Sequence, residues 1–168
     1  IGALVFRGSP ALLRPVLRGG AQERGLRPGT QDPVLAAGFL RALERAADGP
    51  ARYERLGLER DRIEAALGDL AQPNVTADRV PHVSSLFVPG ARGDELVAAL
   101  DLAGLSVSSG SACSAGSSEP SPALSAMLGD ERALGSIRLS LGDATRPAEV
   151  DRAISVLIRL LSARRANP

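Results

Sequence analysis

Ser108 to Pro120 reads Ser-Ser-Gly-Ser-Ala-Cys-Ser-Ala-Gly-Ser-Ser-Glu-Pro. Nothing in it is large and apolar, so it cannot bury a core of its own and is expected to run over the surface as a mobile loop. The apolar segments on either side must then form the elements that hold its two ends. The stretch contains the chain's only cysteine, Cys113, and no charge before Glu119. A lone thiol on such a loop is either a candidate nucleophile or carrier, or a small residue in a linker.

Before the loop, Asp94 and Glu95 introduce a helix through Ala103, with Leu96, Ala99, Leu100 and Ala103 on its buried face and Gly104 as C-cap. Leu105 to Val107 reads as a strand leading into the loop. After it, Ser121-Pro122 opens a helix to about Leu128, a short turn lies near Arg132 to Leu134, and Ser136 to Leu141 alternates as a half-buried strand. Thr145 is expected to cap a long last helix, with Val150, Ile154, Leu157 and Leu161 inward. Upstream, Val83 to Val88 is a strand closed by Pro89-Gly90, and Asn74 to Ala77 is a shorter candidate. A helix from about Ala51 to Leu70 puts Tyr53, Leu56, Ile63, Leu67 and Leu70 on one face.

The first third has a different character. Ile1 to Arg7 has the composition of a buried strand, and Asp32-Pro33 starts a helix with Asp as N-cap and Pro at the first position. Between them Arg18 to Thr30 holds four glycines, three arginines and a threonine. Such a loop either cradles an anion or is a solvated turn. A boundary falls near Asp48 to Pro50, and the second part reads as an α+β layer with helices on a small sheet.

Composition narrows the chemistry. All 20 basic residues among the 168 are arginine, so a reaction that needs a lysine Schiff base cannot be completed by this segment. The absence of an initiating methionine suggests an excerpt from a longer protein. Aromatic residues make up 2% and there is no basic tail, which argues against nucleic-acid binding. One cysteine excludes an internal disulfide and fits a reducing cytoplasm. His82 either pairs with Cys113 in space or is an ordinary strand residue. Arg138, inside the alternating strand, is a buried ion-pair member, an outward-facing residue or a ligand for a carboxylate.

Three motifs together resemble the cysteine desulfurases, pyridoxal-phosphate enzymes of the class V aminotransferase family. Ser108 to Cys113 followed by Glu119-Pro120-Ser121 resembles the active-site cysteine loop of the long-loop group, which serves iron–sulfur cluster assembly. Ser136 to Gly142 resembles the substrate-arginine strand, and Gln22-Glu23-Arg24-Gly25-Leu26-Arg27-Pro28-Gly29-Thr30 a further family segment. Ile1 to Arg7 is similar to the strand just after the cofactor lysine.

The resemblance implies the C-terminal part of a homodimeric fold-type-I enzyme, with residues 1–48 ending the large cofactor domain and 49–168 forming the small domain. It implies that Thr30 donates to the cofactor phosphate across the dimer, that Arg138 grips the carboxylate of substrate L-cysteine, and that Cys113 takes the sulfur as a persulfide and leaves alanine. The persulfide would pass to an iron–sulfur scaffold or another sulfur acceptor. The Schiff-base lysine is expected just upstream of Ile1, and no metal is expected. Ala21, where glycine is usual, and the segment Arg79 to Ser85 depart from the family pattern and leave specificity open. The alternatives are a related lyase acting on selenocysteine and a non-catalytic, lysine-free acceptor or dimerisation domain.

Overall fold

A computed structural model of the chain describes residues 1–110 and 120–166. It forms two compact units, Ile1–Gly49 and Pro50–Pro168.

In the first unit, Ile1 to Arg7 is not a strand. It has no regular structure, and Leu4 and Val5 are 78% and 93% exposed. A strand needs a neighbour to take its backbone N–H and C=O groups, and the first unit contains no other strand. Helix α1, Pro33–Ala46, starts as its sequence requires. Asp32 Oδ1 accepts from the N–H of Val34 at 2.9 Å and of Leu35 at 3.0 Å, satisfying two of the orphan donors of the first turn.

The second unit begins with α2, Gly49–Leu67, whose α-geometry ends one turn earlier than expected. Gly68 takes φ +47° and the chain tightens into a 3-10 turn, Gly68–Leu70. Then follow β1 (Gln72–Pro73), β2 (Val83–Phe87), α3 (Gly93–Leu102), β3 (Ser108–Ser109), α4 (Pro122–Leu128), α5 (Asp130–Leu134), β4 (Ser136–Ser140) and α6 (Pro147–Ala166). The strands make one antiparallel sheet in the order β1-β2-β4-β3.

Two strands sit off their expected positions. β1 lies at Gln72–Pro73 instead of Asn74 to Ala77, because the chain leaves the sheet after Asn74 and turns through Asp78 at φ +51°. β3 starts at Ser108 instead of Leu105. Gly104, at φ +77°, ends α3, and the Leu105 N–H donates to the Leu100 carbonyl at 2.9 Å, so that stretch is spent on the helix end.

One face of the sheet is covered. Leu86, Ile137 and Leu139 point into a core with Ile63 and Leu67 of α2, Leu96 and Leu100 of α3, and Val150, Leu157 and Leu161 of α6. Burying each such side chain contributes about 1.5–3 kcal/mol. Thr145 does not cap α6. Its Oγ1 accepts from the Gly142 N–H at 3.0 Å within the preceding turn. The helix start is instead satisfied by Glu149, whose carboxylate accepts from the Arg146 N–H at 2.8 Å. No helix among the described residues is long and apolar enough to cross a membrane.

Candidate functional site

The alternation of β4 decides which side chains reach the second, less covered face of the sheet. Ile137 and Leu139 are buried, so Arg138 between them points the other way and is exposed. Of the three readings open for Arg138, the buried ion pair is therefore overturned. The guanidinium makes no hydrogen bond or ion pair among the described residues.

Register then fixes its neighbours. Arg138 stands opposite Ser85 of β2 on one side and Ser108 of β3 on the other. Directly opposed residues share a face, with Cβ atoms about 4.5–5.5 Å apart. The open face thus presents a guanidinium without a partner among the described residues, between two hydroxyls, an arrangement suited to a carboxylate.

The same pairing anchors the cysteine stretch. Ser108 is the first residue of Ser108 to Pro120, and its strand partner is Arg138. α3 is held against this anchor by Gly93. A Cβ there would meet the Ser136 carbonyl oxygen at 2.5 Å and the Ser109 Cβ at 3.1 Å, so only glycine lets the helix start so close to the two strands. At that start the Arg92 guanidinium, hydrogen-bonded to Asp94, holds the Asp94 carboxyl below the usual carboxylate range. Cys113 itself lies outside the described residues.

A polar chain backs the same face from the β1 side. Arg132 donates from Nε to Asn74 Oδ1 at 2.8 Å and lies over the Phe87 ring at 5.0 Å. Asn74 Nδ2 donates to Ser85 Oγ at 2.9 Å and to Ser136 Oγ at 2.8 Å. The sequence gives no cue to Asn74 beyond its place after Pro73, because every partner but one is distant in the chain.

Thr30 belongs to the first unit and is exposed. It follows Gly29, at φ +106°, where a Cβ would lie 3.2 Å from an Arg27 guanidinium nitrogen. The loop is closed by Gln22, whose Oε1 accepts from the Gly29 N–H at 3.2 Å. Glu23, Arg24 and Gly25 all take left-handed backbone angles, which non-glycine residues rarely adopt. His82 lies in the turn just before β2 instead of in the strand; its ring packs on Tyr53 at 4.5 Å, and its buried Nδ1 has no hydrogen-bond partner among the described residues. No group of three or more metal-ligating side chains occurs among the described residues.

Known proteins bear on this arrangement. No family model matches the chain. It is 39% identical over 99% of its length to a cysteine desulfurase of Cereibacter sphaeroides. It is 40% identical over 94% of its length to an IscS-like cysteine desulfurase of Mycobacterium tuberculosis. It spans 43% and 42% of those two relatives. Among solved structures, a NifS-like protein superposes with a TM-score of 0.74 and 31% identity, over 89% of this chain and 39% of that one. A NifS-like protein of Rickettsia africae gives 0.69 and 25%, covering 89% and 40%.

Proposed function

The sequence and fold of this chain are those of the C-terminal portion of cysteine desulfurases, and on that footing we propose that the whole protein removes sulfur from L-cysteine. Cys113 receives the sulfur and L-alanine is the product. The observation that supports this is the β3–β4 register. It pairs Ser108 with Arg138, and Cys113 follows five residues later. A fully extended five-residue span reaches at most about 17 Å. Five residues of chain are thus long enough to bring a thiol to a carboxylate held at Arg138.

Each residue has a distinct task. Arg138 orients the substrate through a two-pronged contact with its carboxylate. Cys113 attacks the substrate sulfur as a thiolate. One S–S bond forms as the substrate C–S bond breaks, and the carbon keeps the electron pair and takes a proton to become the alanine methyl. Atoms and electrons balance without an external oxidant, because the transferred sulfur stays on the protein as a persulfide. That persulfide is then available to a second protein, an iron–sulfur scaffold or another acceptor in the cytoplasm.

Pyridoxal phosphate, when bound, supplies the electron sink that makes the C–S bond breakable. The chain offers part of a site for it. Thr30 follows Gly29, whose bare Cα lies near the Arg27 guanidinium, and a hydroxyl, an open backbone and a cation in one short loop are a donor set that fits a phosphate. With no lysine among the 168 residues, the covalent attachment must come from elsewhere in the protein. In this reading residues 1–48 finish the cofactor domain of a homodimeric enzyme and 49–168 form its small domain.

The full-length protein with pyridoxal phosphate and L-cysteine should release alanine and accumulate a persulfide. Cys113→Ser should abolish the persulfide and leave the cofactor absorbance intact. Sulfide release by Cys113→Ser at the parent rate would remove the thiol from this role.

A further inference from the structure

Ser85 shares a face with Arg138, and its hydroxyl is oriented from behind. Ser136 Oγ donates to the Arg132 carbonyl at 2.5 Å, so toward Asn74 it can act only as an acceptor. Arg132 Nε has a proton and no lone pair to offer, so it must meet the Asn74 oxygen. These two constraints fix the orientation of the amide. Its –NH2 group faces both serines and uses one proton on each. Ser85 Oγ therefore accepts from Asn74, while its own proton has no acceptor among the described residues.

We propose that Ser85 is the second donor to the anion bound by Arg138, its hydroxyl proton turned outward by Asn74 onto the substrate carboxylate. This rests on the reading of Arg138 as the carboxylate residue. The guanidinium brings charge and a planar fork. The hydroxyl one strand away brings a directed neutral donor, and together they specify a carboxylate held flat across β2 and β4. Asn74 and Arg132 touch no substrate; they are positioning residues that keep Ser85 from turning its proton inward.

The test uses the full-length holoenzyme. Ser85→Ala should raise KM for L-cysteine and weaken competitive inhibition by L-alanine, each by about tenfold, with kcat changed by less than about twofold. Ser85→Thr restores the hydroxyl and should recover most of the lost affinity. Asn74→Asp offers Ser85 only acceptors, draws its proton inward, and should raise KM as Ser85→Ala does. L-Alaninamide lacks the carboxylate and should inhibit the parent and Ser85→Ala equally. If KM is unchanged in Ser85→Ala but raised in Arg138→Lys, the Ser85 assignment is overturned and Arg138 keeps its role. If KM is unchanged in both, the carboxylate site itself is wrong.

Discussion

Ile1–Gly49 and Pro50–Pro168 have comparable shares of apolar residues and use them differently. Every buried hydrophobic side chain described, from Leu56 to Leu161, belongs to the second unit. In the first, Val16 is 95% exposed and α1 buries none of its residues. Yet α1 forms where Asp32 and Pro33 indicate, whereas Ile1 to Arg7, with the composition of a strand, forms none. The difference separates two kinds of instruction. A helix start is written locally, in a cap and in bonds that close within one turn. A strand is completed only by another strand, and a core only by residues far away in sequence.

The contrast can be attacked first in the core. Leu157→Ala, at a fully buried α6 position, should cost about 2–5 kcal/mol in denaturant unfolding. Val16→Ala in the first unit should stay within about 0.5 kcal/mol. A comparable loss from both would mean that the two units share one cooperative core.

A smaller effect is expected from the ion pair that ties the chain between β1 and β2 to α2. Glu64 accepts from Arg79 at 2.8 Å on each oxygen and from Ser84 Oγ at 2.6 Å. Glu64→Ala leaves a mostly covered guanidinium with only Asp61 and the Val75 carbonyl, and a buried hydroxyl without its acceptor, at a cost of about 1–3 kcal/mol, less than for a fully enclosed pair. Unchanged stability in Glu64→Ala would show that the clamp contributes nothing.

Asp32→Ala tests the local instruction. It should remove about 1 kcal/mol of α1 stability and speed amide exchange at Val34 and Leu35, while the unfolding midpoint of the second unit stays put. The smallest effect is with pH. Asp94 and Glu149 are both held below the usual carboxylate range, chiefly by side-chain hydrogen bonds from Arg92 and Arg146. Their stabilisation is present above the ordinary carboxylate pKa of about 4 and is lost as the pH falls through the lowered values. A shallow stability loss below about pH 4, reduced in Glu149→Gln, is the expected profile. A gain on acidification would reverse the sign.

Much of the site could be read in the sequence, for the same local reasons. The alternation Ser-Ile-Arg-Leu-Ser indicates a half-buried strand at Ser136 to Leu141, and the structure has one at Ser136–Ser140. It also leaves open an outward Arg138. Which strands flank it cannot be seen in the alternation, because pairing with Ser85 and Ser108 joins residues some 30 to 50 positions apart. Asn74 was hidden for the same reason. Thr145 misled because a hydroxyl two residues ahead of a helix reads as a cap, while a glycine three residues before it offered a nearer donor. Cys113 could be singled out by composition, but its placement lies outside the described residues.

The pairing of Ser108 with Arg138 has a consequence for chain length. α3 is pinned at its end by Gly104, and the strand pair by Ser108. Only Leu105, Ser106 and Val107 lie between these two fixed points. Successive strand side chains alternate faces, so one added residue carried into β3 would turn Ser108 toward the core and deliver Val107 to the arginine. Two added residues would restore the original facing. The connector is thus under a parity rule: insertions or deletions here are tolerated by even counts, whatever their composition.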